Sequence, residues 1–220
     1  MTRPYYPVFF DLRDRPVLVI GGGRLALEKV EGLLAAKACV TVVAPALSGA
    51  LCSLADEGRI AHIAREYERG DMRGMTIVMA ARDDASGNRE LQEDARALGI
   101  PLNAADDPEH CDFILPAVVR RPPMTLAIST GGGSPAVARR LREELSDFLD
   151  DETAAMAGLV AEVRAELRRL NAFRTIPSED WQTAMDARLR ALLAQRRRGQ
   201  AKALLLARLG APIRATDEAP

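Results

Sequence analysis

Lysine is scarce in this chain: of 30 basic residues only Lys29, Lys37 and Lys202 are lysines, and the rest are arginines. Against 31 acidic residues the formal net charge is -1, so no bulk positive charge recommends a nucleic-acid partner. The arginine excess reads first as base composition, although arginine also suits carboxylate recognition. Cysteine is nearly as rare. Cys39, Cys52 and Cys111 form no C-x-x-C pair and leave an odd count, which excludes a disulfide framework and points to a reduced, cytoplasmic setting. Histidine is limited to His62 and His110. No apolar run approaches membrane-spanning length, and the opening MTRPYYPVFFDLRDR lacks the apolar core of a secretory signal, so no membrane association is expected.

What is present is a large apolar fraction, 48% of 220 residues, enough to bury one domain with an appendage. The strongest local signal runs from Val17 to Pro45. Val17–Ile20 reads as a buried strand, Gly21, Gly22 and Gly23 follow at once, an amphipathic helix comes next, and Val40–Val43 reads as a second strand. Gly21, Gly23 and Ala26 have the G-x-G-x-x-A spacing of a dinucleotide site. Gly21 allows the tight turn, Gly23 lets backbone approach a pyrophosphate, and Ala26 lets the helix sit close to the sheet. The helix start then offers free N–H groups and the positive end of its dipole to phosphate. The alternative is a glycine turn with no ligand. The second strand ends Val43-Ala44-Pro45-Ala46, without the carboxylate that usually holds the ribose and without an Arg for a 2′-phosphate.

Strand and helix signals keep alternating. A short helix is expected over Ala46–Glu57, strands over Ile60–Ile63 and Met75–Ala80, a helix from about Ser86 to Leu98 ended by Gly99, and a strand over Pro101–Ala104. Arg82-Asp83-Asp84 leads into that helix. Such alternation predicts an α/β, Rossmann-type, mainly parallel sheet with its ligands at the carboxyl ends of the strands. Phe113–Val119 and Met124–Ser129 then read as a hairpin joined by Arg120-Arg121-Pro122-Pro123. Ser134 as cap and Pro135 as first residue start a helix to about Leu149. Beyond Asp150 the chain reads as helical, with Met156, Leu159, Val160, Val163, Leu167 and Leu170 on one buried face. After the break at Thr175–Ser178, Ser178 can cap a helix carrying Trp181, Met185, Leu189 and Leu192. Arg196-Arg197-Arg198 reads as a solvated helix end, and Ala215–Pro220 as a frayed terminus. The expected domains are 1–112, a Rossmann domain; 113–149, a dimerisation region of hairpin and helix; and 150–220, a helical C-terminal domain.

Two further segments bear chemistry. Asn103–Asp112 follows a strand on the expected ligand rim and is dense in carboxylates. Adjacent Asp106 and Asp107 cannot both enter one pocket cheaply, and a raised pKa on one would make it a proton acceptor. Asp-Asp-Pro is equally good turn chemistry, and on spacing alone the turn outweighs catalysis. Glu109, His110, Cys111 and Asp112 are consecutive, so their side chains diverge and do not by themselves close a zinc cage; a transient metal contact at a single carboxylate stays open. The second segment, Ser129–Pro135, places Gly131, Gly132 and Gly133 beside hydroxyls at a helix start, which suits either an anion nest or a capped turn.

Together these segments resemble the precorrin-2 dehydrogenase / sirohydrochlorin ferrochelatase family, also found as the N-terminal module of siroheme synthase. The resemblance runs through PVFFDLRDRPVLVIGGG, EKVEGLL, VTVVAP, AARDD…N, NAADDPEHCDFILPAVVRR and STGGGSPAVARRLREEL, over essentially residues 5–150. It implies NAD-dependent oxidation of precorrin-2 to sirohydrochlorin, insertion of Fe²⁺ as substrate in bifunctional members, a tetrapyrrole partner and a homodimer intertwined beyond the Rossmann domain. Carried onto this sequence, it implies cofactor contacts at Gly21, Gly22, Gly23, Arg24, Leu25, Pro45, Ala46, Ala81, Arg82 and Asn103. It makes Asp106 the catalytic carboxylate and the transient metal contact. It assigns substrate contacts to Ser129, Thr130, Gly131, Arg120 and Arg139, with Arg121, Arg140 and Arg142 as further partners for substrate carboxylates.

Three departures stand out. Glu28 occupies a position where the family usually has Arg, Lys37 stands near a usual Gly at an expected left-handed helix end, and Arg82 replaces a common Thr on the cofactor rim. The competing readings are a dehydrogenase with metal insertion done elsewhere, a non-catalytic NAD sensor, and a dimerising scaffold.

Overall fold

A computed structural model describes residues 4–82, 87–172 and 176–210. Asp83, Asp84, Ser86, Thr175 and Ala215–Pro220 lie outside the described residues. The backbone divides into two compact units, 1–115 with 131–133, and 116–130 with 134–220.

The first unit is built on five strands, β1 (Pro16–Ile20), β2 (Cys39–Val43), β3 (Ala61–Ile63), β4 (Ile77–Ala80) and β5 (Leu102–Ala104). They pair in the order β3-β2-β1-β4-β5, all parallel. Helices α1 (Arg24–Ala35), α2 (Gly49–Asp56) and α3 (Asn88–Leu98) complete it. Central β1 alternates its side chains between two cores. Val17 and Val19 pack with Val30 and Leu33 of α1 and Leu51 of α2, while Leu18 and Ile20 pack with Val78, Leu91 and Leu102. Both faces are covered, which explains why β1 and β4 read as unbroken apolar runs rather than as alternating ones.

Two expected boundaries move by three residues or more. The helix expected from Ala46 begins at Gly49, because the Ser48 N–H donates to the Gly22 carbonyl at 2.7 Å and ties the intervening turn to the glycine segment. The strand expected from Phe113 begins at Ala117. Residues 112 and 113 instead fasten to β5: the Asp112 N–H donates to Leu102 O at 2.8 Å, and the Asn103 amide donates to Phe113 O at 2.9 Å.

Lys37 occupies the left-handed helix end expected near it, at φ 59°. The Lys37 N–H donates to Leu34 O and the Ala38 N–H to Leu33 O, a Schellman closure of α1. An L side chain costs about 1–2 kcal/mol there, of which glycine returns part to the unfolded chain. Lys37 is exposed, so Lys37→Gly is expected to stabilise by about 0.5–1 kcal/mol, read as a rise of a few degrees in Tm.

The second unit begins with the hairpin of β6 (Ala117–Arg121) and β7 (Met124–Ile128), antiparallel as expected. Arg120 and Arg121, expected in the connection, belong to β6, and Pro122-Pro123 make the turn. Helix α4 (Pro135–Phe148) starts with Ser134 as its cap, accepting from the Val137 N–H at 3.3 Å. Helices α5 (Asp151–Arg169), α6 (Ser178–Ala184), α7 (Ala187–Ala194) and α8 (Arg198–Arg208) follow. Leu159, Val163 and Leu167 of α5 pack with Leu189, Leu193 and Leu205; Leu170, expected on the same face, is exposed. The single helix expected after Ser178 is two. Ser178 is the first residue of α6 rather than its cap, and Asp186 stops the run by accepting from the Leu189 N–H at 2.9 Å to start α7. Arg196 and Arg197 lie in the turn between α7 and α8, with Arg196 at φ 57°, and Arg198 opens α8 paired to Glu162 at 2.7 Å.

Candidate functional site

The carboxyl ends of β1, β2, β4 and β5 form one rim of the sheet. At its centre the Gly21 N–H donates to Val43 O at 2.9 Å and the Ala81 N–H to Ile20 O at 2.8 Å. Gly21 sits at φ 121°, and a Cβ there would collide with the Ala81 carbonyl. A Cβ on Gly22 would collide with the Ala46 carbonyl. The first two glycines are thus demanded by packing of the strand exit between its neighbours. The role of Gly22 is not readable from motif spacing, because Ala46 reaches it only through the fold.

Gly23 is the N-terminal cap of α1 and brings no side chain to satisfy the first N–H groups. No acidic residue lies in the first turn to neutralise the dipole. The start of α1 therefore suits the pyrophosphate of a dinucleotide. Arg24 is exposed and paired to Glu28 at 2.6 Å, so the Glu28 departure has a local partner on the same helix face. Leu25 packs against the core below. Pro45 and Ala46 are exposed beyond β2, and Ala81 is buried. The backbone N of Arg82 borders the glycine turn, 3.3 Å from where a Cβ of Gly21 would stand. The Arg82 guanidinium rests at Gly87, 2.8 Å from where a Cβ of that residue would stand. The Ser48 hydroxyl is buried with no hydrogen-bond partner among the described residues.

Beyond β5 the two neighbouring aspartates separate. Asp106 is exposed and adopts φ 57°, a left-handed conformation that Asp tolerates better than most residues. Asp107 turns inward, accepting from Asn88 Nδ2 at 3.1 Å and from His110 Nδ1 at 2.7 Å. Burial pushes the Asp107 carboxyl up, but these donors outweigh it and hold the group below the ordinary value of 3.8. A depressed folded pKa contributes stability above the unfolded pKa and loses it as pH falls through the folded one. Asp107→Asn is therefore expected to flatten the decline of Tm below about pH 4, where wild type loses this contribution.

The rest of the loop is fastened down. The Cys111 thiol is buried, donates to Ala104 O at 3.1 Å, and lies 3.3 Å from Asp107 O; the Ala104 N–H donates to the sulfur at 3.1 Å. Burial pushes this thiol's pKa up. Gln92 Nε2 donates to Glu109 O at 3.3 Å, and Asp112 accepts from the Leu102 N–H at 3.0 Å. The side chains of residues 109–112 diverge, and among the described residues no three His, Cys, Asp or Glu gather as a metal cage. Asn103 is buried and its amide is committed within the protein, to Phe113 O and, at 3.6 Å, to Cys111 Sγ. Of the two amides that hold the loop, Asn88 ends the AARDD…N segment without a role readable from it, and Gln92 escapes motif reading. The available signal is two amides at i and i+4 in register with apolar Leu91 and Ala95.

Between β7 and α4 the glycine loop closes on itself. Thr130 Oγ1 donates to Ser134 O at 3.1 Å and accepts from the Ser134 N–H at 3.0 Å, with Gly131 at φ 64° and Gly132 at φ 84°. Ser129 is exposed. Of the arginines, Arg120 and Arg139 are exposed, Arg140 pairs with Glu144 at 2.7 Å, Arg142 lies 3.8 Å from Glu143, and Arg121 lies 3.9 Å from Asp151.

The chain is similar to known proteins along most of its length. A family described as NAD(P)-binding matches residues 8–117, and one described as sirohaem biosynthesis protein central matches 121–147. It is 36% identical over 202 residues to a siroheme synthase of Methylococcus capsulatus, covering 92% of this chain and 43% of that protein. It is 42% identical over 163 residues to one of Methylobacillus flagellatus, covering 74% and 35%. The chain thus spans less than half the length of these relatives. Among solved structures it matches SirC, precorrin-2 dehydrogenase, at 27% identity and a TM-score of 0.69, covering 90% of this chain and 99% of that one.

Proposed function

The chain belongs to the NAD(P)-binding family of siroheme synthases and precorrin-2 dehydrogenases, and on that footing we propose that it oxidises precorrin-2 to sirohydrochlorin with NAD. The observation that carries this reading is one rim holding both an uncapped glycine turn and an outward carboxylate, Asp106. Their strands, β1 and β5, are two apart in the sheet, about 10 Å at ordinary strand spacing. A dinucleotide bound at the turn spans that distance. The backbone at Gly21–Leu25 would hold the pyrophosphate, Pro45 and Ala46 the adenosine side, and Ala81, Arg82 and Asn103 would flank the nicotinamide side.

When bound, NAD accepts the hydride. The oxidation also releases a proton, and Asp106, a solvent-facing carboxylate whose neighbour Asp107 is occupied elsewhere, would accept it. The same group can take pyrrole N–H protons as Fe²⁺ enters the product, which would make the protein a ferrochelatase as well. Ser129, Thr130, Gly131, Arg120 and Arg139 would meet the substrate's carboxylates. Region 113–149 would form a homodimer, supported by exposed Val137, Leu141 and Phe148 along α4. No helix among the described residues is long and apolar enough to cross a membrane, and with three free cysteines this supports a cytoplasmic site of action.

An anaerobic spectral assay tests the reading. Purified protein with precorrin-2 and NAD should form sirohydrochlorin, and added Fe²⁺ should then yield siroheme faster than without protein. Oxidation without accelerated insertion leaves a dehydrogenase alone. NAD binding with no oxidation leaves a sensor.

A further inference from the structure

Helix α3 presents an unusual face to the protein interior. Leu91 and Ala95 are apolar there, but Asn88 and Gln92 share the face and are also buried, 4% and 7% exposed. Buried amides are less favourable than apolar side chains unless their hydrogen bonds are met. Both are met by one target, the loop that carries Asp106. Asn88 holds the Asp107 carboxylate at 3.1 Å and Gln92 holds the Glu109 carbonyl at 3.3 Å. His110 Nδ1 reaches the same Asp107 oxygen as Asn88, at 2.7 Å. The residue next to this anchor, Asp106, adopts a left-handed conformation at φ 57°.

We propose that Asn88 and Gln92 are positioning residues, a pair of amides on α3 that fixes the Asp106 loop and so aims the Asp106 carboxylate at the tetrapyrrole. The proposal rests on the reading of Asp106 as the reacting group. Neither amide touches substrate or cofactor in this role. α3 serves as a rigid template, and the loop's geometry follows from two bonds to it, with the Asp107–His110 contact holding the near end.

The test combines kinetics with a double-mutant cycle. Asn88→Ala is expected to lower kcat for NAD-dependent oxidation about tenfold while KM for NAD stays within about twofold, since geometry and not binding is lost. Gln92→Met keeps the volume, guards against a folding failure of the first variant, and should lower kcat about threefold. In an Asp106→Asn background, adding Asn88→Ala should change the residual rate by less than about twofold, because its route of action is already gone. If Asp106→Asn is inactive but both α3 variants keep wild-type kcat, the positioning role is wrong and the assignment of Asp106 stands. If Asn88→Ala raises KM for NAD at constant kcat, or costs the same factor in both backgrounds, the positioning role is likewise overturned. If Asp106→Asn oxidises at the wild-type rate, the catalytic assignment itself falls and takes this proposal with it.

Discussion

Asp106→Asn is expected to reduce NAD-dependent sirohydrochlorin formation by about 10²–10⁴-fold, the usual range for loss of a general base. Asn is the informative replacement. It keeps the shape of the side chain and tolerates the left-handed backbone at φ 57°, so the loop should stay as it is. Asp106 is exposed, so the fold loses little. The negative charge goes with the ability to take a proton, and the side-chain volume stays. The measurement is the anaerobic rate of sirohydrochlorin appearance, with Tm and NAD affinity as controls that should not move. A wild-type rate would exclude Asp106 as the proton acceptor and return it to a turn residue. If one carboxylate serves both reactions, Fe²⁺ insertion should fall in parallel; oxidation lost with insertion retained would assign the two steps to different groups.

The second large effect is expected at Gly21. Gly21→Ala places a Cβ into the Ala81 carbonyl and forces an L residue to φ 121°. The strained conformation alone costs about 1–3 kcal/mol, and overpacking against fixed backbone adds about 1–3 kcal/mol. The Ala81 backbone cannot retreat cheaply, since its own N–H is bonded to Ile20 O in the ladder. The sum, about 2–6 kcal/mol, is a large share of a domain's stability and should lower Tm by about 10 °C or more. Any folded remainder should bind NAD poorly, because the turn leading to the α1 N-terminus is displaced. A variant with wild-type Tm and NAD affinity would show that the strand exit is far looser than its close contacts imply.

Much of the first unit was legible in the chain because its signals are local. Apolar runs of four or five residues separated by helical periodicity implied buried parallel strands, and the sheet is wholly parallel. Gly99 and Ser134 ended and began helices where expected, since a left-handed stop and a side-chain cap are needs of the adjacent backbone. Expectation failed where a distant partner intervened. Residues 113–116 are apolar enough for a strand, yet β5 takes the chain just before them through Asn103 and Asp112. The helix beyond Ser178 looked continuous in its apolar spacing, but Asp186 caps a new helix and pairs with Arg208, 22 residues on.

By itself, then, the sequence determined the parallel α/β sheet, the glycine turn at the end of β1 and the candidacy of an Asp-Asp pair beyond β5. Those follow from periodicity and from backbone conformations that only certain residues adopt. Only the tertiary structure decided which aspartate faces outward. Asp107 is claimed by Asn88, 19 residues away, and the loop's far side by Gln92, 17 residues from Glu109. The need for glycine at position 22 was decided in the same way, by the Ala46 carbonyl. Two adjacent carboxylates are chemically equal in a sequence. They become different only when packing gives one of them donors and leaves the other to solvent.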